Sequence, residues 1–227
     1  RIDNNSSLHA LWEQDKGTEM KKAILFLAAA LAVSVSAFAD ETSESILRHM
    51  AGTFAGYDCY EVKFTVSAEG MANMNGSYTV CGNKYNIKIQ RQEQFSDGTA
   101  RYEIYPNERE IVIDVADNSS HGILSNPTRA FDFAPEEFDS SYKGQTDFRR
   151  KAVETVFLVP KNDAYGNGTI MLYIDAESGM PAAIDYDYQG EKITITINRI
   201  TQLESADPSL FMFDPAKYQN YEVIDFR

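Results

Sequence analysis

Tyr60-Glu61-Val62-Lys63-Phe64-Thr65-Val66 alternates apolar and polar side chains for seven residues, and Tyr85-Asn86-Ile87-Lys88-Ile89-Gln90 repeats the pattern. Successive side chains of a strand point to opposite sides, so each stretch reads as a strand with one apolar and one wet face. The same period recurs in Arg101–Tyr105 and Glu110–Val115, and further strands are expected near 152–159, 169–175, 183–188 and 192–200. Asp97-Gly98, Pro106-Asn107, Gly166-Asn167-Gly168, Ser178-Gly179 and Gln189-Gly190 supply turn chemistry between them. The short gaps imply an antiparallel meander. That many consecutive twisted strands curl into a barrel or half-barrel, so the fold class expected is mainly β (α+β).

Two helical interruptions are expected. Before the strands, Ile46, Leu47, Met50 and Phe54 recur at helical spacing, with Thr42 or Ser43 as cap and Gly56 as the end. From Asn126 to about Tyr142, Asn126 with Pro127 opens a short helix carrying Ala130, Phe131 and Phe133, and Pro135 restarts a second one carrying Phe138. A curved apolar sheet face covered by helices instead of a second sheet either packs as core or opens as a pocket for apolar ligands.

Outward from the strands, Met20–Ala39 has the layout of a secretory signal peptide: Lys21 and Lys22, an apolar run from Ala23 to Val35, then Ala37-Phe38-Ala39. Cleavage there starts the mature chain near Asp40. Residues 1–19 are polar, without periodicity, and are read as sequence upstream of the true start. Residues 40–227 are expected to form a single domain. Residues 1–39 carry four basic and four acidic side chains, so the net charge of −13 is unchanged without them. Such a balance argues against nucleic acid, whose recognition needs a basic patch, and against anionic lipid surfaces.

In an exported chain, Cys59 and Cys81 are disulfide candidates. Both alternate with polar residues, and a hairpin centred near Gly70 sets them opposite one another. Register is open at this stage, so two free thiols are the alternative. A structural role follows in both cases.

Catalytic constellations are missing: there is no HExxH, CxxC, GxSxG or phosphate-binding glycine loop. Of the histidines in the mature chain, His49 falls on the first helix, and Ser120-His121 has no acid partner at a recognisable spacing. Asp114–Asn118 lacks the glycine and distal glutamate of a calcium loop. Asp185 and Asp187 read as the wet face of a strand, and Glu136-Glu137 as acids favoured in a first helical turn. No catalytic residue, cofactor or metal site is expected. Met71 and Met74, at the tip of the first hairpin, suit either an adaptable apolar surface or ordinary packing.

The order of these features resembles a known family, the periplasmic outer-membrane lipoprotein carriers (LolA), particularly versions from Bacteroidetes-type bacteria. The resemblance spans Glu41 to Arg227. It rests on the helix ending near Tyr57, Phe64-Thr65, Gly76-Ser77-Tyr78-Thr79-Val80 with Lys84-Tyr85, and Ser96-Asp97-Gly98-Thr99 followed by Tyr102. Tyr105-Pro106-Asn107, Asp207–Asp214 and Tyr221–Asp225 complete it. It implies an incomplete antiparallel barrel of about eleven strands with a helical lid over an apolar cavity. It also implies a monomeric periplasmic carrier that takes lipoproteins from an inner-membrane ABC transporter to the outer membrane. The carrier reading makes Phe64, Val66, Tyr85, Ile87, Ile89, Tyr102, Ile104, Ile111 and Ile113 the acyl-binding cavity, and Ile46, Met50, Phe54, Phe131 and Phe133 the lid. The family's Arg-Pro pair, whose arginine latches the lid, is replaced here by Cys81-Gly82-Asn83-Lys84. Lys84 lacks the planar guanidinium fork, so the lid is expected to be held differently. The alternatives are an envelope sensor that binds lipoproteins or other acyl ligands without transport, and a structural envelope protein whose concave face is filled core.

Overall fold

The computed structural model describes residues 41–117, 122–161, 168–188 and 190–227. The expected signal peptide, the upstream residues 1–19 and His121 lie outside them. A single α-helix among the described residues, α1 (Glu41–Ala55), is followed by twelve strands. These are β1 (Cys59–Ala68), β2 (Met74–Cys81), β3 (Lys84–Ile89), β4 (Gln92–Ser96), β5 (Ala100–Tyr105), β6 (Glu110–Val115), β7 (Phe138–Phe148), β8 (Lys151–Pro160), β9 (Thr169–Asp175), β10 (Pro181–Tyr188), β11 (Glu191–Leu203) and β12 (Glu222–Asp225).

They form one open sheet in the order β12-β6-β5-β4-β3-β2-β1-β11-β10-β9-β8-β7. The twist of so many strands curves it into an incomplete barrel. Neighbours run antiparallel except β12, which lies parallel to β6. The meander breaks twice: β6 and β7 lie towards opposite edges, and β12 returns beside β6 instead of following β11, while the long β1–β11 pair joins the two halves.

Two expectations are corrected. The 126–142 region is not helical beyond a 3₁₀ turn at Pro127–Arg129, because Phe138 opens β7 and pairs with Pro160 of β8. Much of β7 is exposed on both sides, so it carries little apolar alternation to announce itself. Glu137 accordingly holds no first helical turn; its carboxylate receives the Arg129 guanidinium at 2.7 Å. Neither Thr42 nor Ser43 is a helix start, since α1 already includes Glu41, and Ser43 is fully buried with its hydroxyl 2.7 Å from that of Ser140 in β7. The twelve strands agree with the expected count of about eleven. The polar strand β4, with Gln92, Gln94 and Ser96 all buried, escaped the apolar pattern.

Candidate functional site

Register assigns every side chain to a face of the sheet. Tyr60 faces Val80 across β1–β2, Val62 faces Tyr78, and Phe64 faces Gly76. On β3, Tyr85 and Ile87 continue that row. Across the other half, Phe64 and Val66 face Ile197 and Ile195 of β11, Ile184 of β10 faces both Ile195 and Leu172, and Val156 of β8 faces Leu172. These residues line the concave face, and Phe64, Val62, Tyr78, Ile184 and Leu172 are at most 1 % exposed.

Two pieces of chain cover them. From α1 come Leu47, Met50 and Phe54, with Ile46 partly buried at the margin; from the irregular segment after Gly122 come Ile123, Leu124, Phe131 and Phe133. The two pieces meet where the Phe54 and Phe131 rings stack at 4.3 Å, while Phe133 packs edge-on to Phe138. All five residues assigned to the lid therefore lie in the cover, although Phe131 and Phe133 sit on loop rather than helix. The His49 ring rests on the β9–β10 turn over Gly179, where a Cβ would come within 2.7 Å of it. Gly179 has a φ of +68°, so glycine meets both demands there.

The residues assigned to the cavity divide between the two faces. Phe64, Val66, Tyr85, Ile87 and Ile89 line the concave side, whereas Tyr102, Ile104, Ile111 and Ile113 belong to a second apolar cluster. The pairing explains it: Ile89 faces Gln92, Ser96 faces Arg101, and Gln94 faces Glu103, so the concave side of β4 and β5 is polar and its apolar residues point outward. Outside, the C-terminal segment covers them. Phe95, Tyr102, Phe213 and Tyr218 stack in a row at 4.9, 5.3 and 5.8 Å, and Tyr221 closes it edge-on. Asn86 donates to the Leu210 carbonyl at 2.8 Å, pinning the segment to β3.

The polar end of the concave face carries a buried ion pair. Arg101 Nε lies 3.0 Å from Glu103 Oε1, and both side chains are about 5 % exposed or less; Asp114 is 3.6 Å from the same guanidinium. The Tyr105 hydroxyl donates to Glu103. Burial raises the Glu103 carboxyl above its ordinary range, with Arg101 and the Tyr105 bond opposing the rise. This is a packed structural network, and the described residues contain no group of three or more His, Cys, Asp or Glu placed to hold a metal. Asp185, on the outer face, accepts bonds from Tyr173 and Thr194. Met71 and Met74 pack at the margin of the concave core.

The cover is tied to the sheet by uncharged groups. Tyr60 donates its hydroxyl to the Pro127 carbonyl at 3.3 Å; Tyr85 and Gln94 both donate to the Ser125 carbonyl, at 3.3 and 3.2 Å; and Gln94 also donates to the Tyr85 hydroxyl at 2.9 Å. Burial pushes the Tyr85 hydroxyl up to about 12, so it is a neutral donor at physiological pH. Lys84 is exposed. Sequence reading missed Gln94 as a tether, because a glutamine in a short polar strand carries no signal of burial. At the C-terminal half of α1, an open groove of about 700 Å³ is lined by Tyr57, Ile197 and Ile200 together with the polar Arg149, Lys151 and Asp175. Ile197 and Ile200 belong to the concave row, so solvent reaches that face at this rim.

Cys59 and Cys81 form the disulfide, directly opposite one another with Cα atoms 4.3 Å apart.

No protein-family model and no curated protein sequence matches the chain. Among solved structures it is similar to an uncharacterized conserved protein from Thermus thermophilus, at 7 % identity and a TM-score of 0.56, over 82 % of this chain and 99 % of that one. It also aligns with an outer membrane lipoprotein-sorting protein domain from Vibrio parahaemolyticus, at 8 % identity and a TM-score of 0.48, over 75 % and 96 %. A LolA superfamily protein from Nitrosomonas europaea aligns at 12 % identity and a TM-score of 0.42, over 76 % and 98 %. Identities this low speak to fold alone. An open, curved antiparallel sheet whose apolar concave face is closed by one helix and a tethered loop is the architecture that the sequence resemblance implied, and the Thermus thermophilus structure shares that fold.

Proposed function

We propose that the protein is a periplasmic carrier that holds the acyl chains of lipoproteins between the concave sheet face and its cover, receiving them from an inner-membrane ABC transporter and releasing them at the outer membrane. One observation carries the reading. A twelve-stranded sheet offers a concave face of Phe64, Val66, Tyr78, Ile87, Ile184 and Leu172, and what closes it is a helix and a loop that pack apolar side chains on it and are tied by a few neutral hydrogen bonds. Neutral bonds of this kind contribute about 0.5–1.5 kcal/mol each, so such a cover can be lifted without breaking a buried ion pair. Cargo of this class needs shielding, because each buried CH₂ is worth about 0.8 kcal/mol. Carriage demands a face that exchanges its cover for acyl chains, and a second sheet would not exchange.

Purification from envelope extract followed by mass spectrometry of co-purifying molecules tests the reading. Diacylated or triacylated lipoproteins should be recovered, and their transfer to acceptor vesicles separates a carrier from a sensor that merely holds them. A clean protein that also fails to bind a fluorescent fatty acyl probe overturns acyl binding altogether.

A further inference from the structure

Two buried donor groups of the covered interior, the Tyr78 hydroxyl and the Asn126 amide nitrogen, have neither a hydrogen-bond nor an ion-pair partner among the described residues. Each residue is 1 % exposed. A buried donor without an acceptor destabilises the fold that contains it, and native interiors seldom keep one without a reason.

Both groups belong to one neighbourhood. Tyr78 sits mid-sheet on the concave face, between Val62 and Ile87, with its ring edge-on to Tyr60 at 6.2 Å and tilted against Phe64 at 6.0 Å. Asn126 leads into the 3₁₀ turn Pro127–Arg129, which packs on β2 and β3. Tyr60 joins the two, since its hydroxyl donates to the carbonyl of Pro127, the residue after Asn126. The Asn126 oxygen already accepts from the Thr128 hydroxyl at 2.5 Å, which leaves its NH₂ as the free end.

The chemistry of the missing partner follows from what surrounds the donors. Two donors call for acceptors. A carboxylate or phosphate would call for a cation as well, yet Tyr78 is flanked by Val62, Ile87 and the rings of Tyr60 and Phe64. The buried guanidinium of the concave face, Arg101, is engaged by Glu103 and Asp114. A neutral carbonyl flanked by hydrocarbon meets all of these conditions. We infer that the interior holds an acyl ester, as in a diacylglyceryl group, and reads its carbonyl through the Tyr78 hydroxyl and the Asn126 amide. This rests on the acyl-binding reading above and adds that the site selects the ester end of the ligand in addition to burying its tail.

The test titrates the purified protein with dioctanoylglycerol and with its dialkyl ether analogue of equal chain length. The diester is expected to bind about tenfold more tightly, the worth of one to two net hydrogen bonds. Tyr78→Phe should reduce that preference towards unity with ether affinity unchanged, and should raise the thermal midpoint of the ligand-free protein by roughly 2–4 °C, because an unsatisfied hydroxyl is removed. Equal affinity of the wild type for both probes overturns the inference and leaves acyl binding standing, and a fall in the Tyr78→Phe midpoint overturns it by revealing a structural partner. A wild type that binds neither probe removes the acyl-binding reading and the inference with it.

Discussion

Gly76 shows how tightly the concave face is fitted at single residues. It faces Phe64 across β1–β2, and a Cβ at this position would lie 2.6 Å from the Phe64 ring and 3.0 Å from Ile89. Its φ is not in the left-handed region, so the requirement is space and not backbone freedom. Gly76→Ala should cost about 1–3 kcal/mol through overpacking, read as a lower urea midpoint, and adding Phe64→Leu should recover much of it; an unchanged midpoint would show that the ring moves freely. Asp175 makes a different point. Its carboxylate accepts from Lys151 at 2.9 Å and from the backbone N–H groups of Glu177 and Ser178, which together lower it from 3.8 to about 2. A carboxylate held lower in the folded state adds stability above its unfolded value, and that stability is lost as pH falls from about 4 towards 2. The stability gap between wild type and Asp175→Asn, followed by urea unfolding, should therefore be widest near pH 6 and close below pH 3. Neither feature could be read from the chain, because a glycine in a strand and an aspartate before a turn are ordinary until their neighbours are known.

At the level of elements, the β1–β2 hairpin was the most legible. Its alternation set Tyr60, Val62, Phe64 and Val66 on one face, and its turn at Gly70, with φ +74°, brings Cys59 to Cys81. The bridge closes a loop with a sequence separation of 22, so replacing both cysteines with serine should cost about 3 kcal/mol by loop entropy. Chemical denaturation of the oxidised, reduced and serine forms measures it; identical midpoints for all three would mean that the hairpin needs no clamp. Less legible were β4 and β7. Buried Gln92, Gln94 and Ser96 look like a loop, and exposed β7 looks like anything polar, because pattern reading detects apolar contrast and these strands have little. In β5 and β6 the alternation was visible and its direction was not. A period of two says that two faces differ, while the count of residues in each hairpin turn decides which face is concave. Ser96 faces Arg101 across its turn, and that pairing sends Tyr102 and Ile104 outward.

The whole molecule therefore has two cores on opposite sides of one sheet. The concave core lies under α1 and the 122–137 segment, and the outer one lies under residues 207–221, with β12 added parallel to β6. A chain shortened to end after Ala206 should leave Phe95, Tyr102, Ile104, Ile111 and Ile113 uncovered, a patch large enough to drive self-association. Size-exclusion chromatography should show oligomers of the shortened chain, while binding of an acyl probe to the concave face persists; a monodisperse shortened chain would show that the outer cluster needs no cover. The sequence by itself determined the strand-rich class, the amphipathic helix bearing Met50 and Phe54, and the lack of a recognisable catalytic motif, because period, composition and motif spacing are local properties. Only the tertiary structure decided that four of the nine residues assigned to the cavity face away from it, that neutral Tyr60, Tyr85 and Gln94 hold the cover, and that Tyr78 and Asn126 are buried without partners among the described residues. Face, burial and hydrogen-bond satisfaction depend on strand register and on segments far apart in the chain, and no local pattern records them.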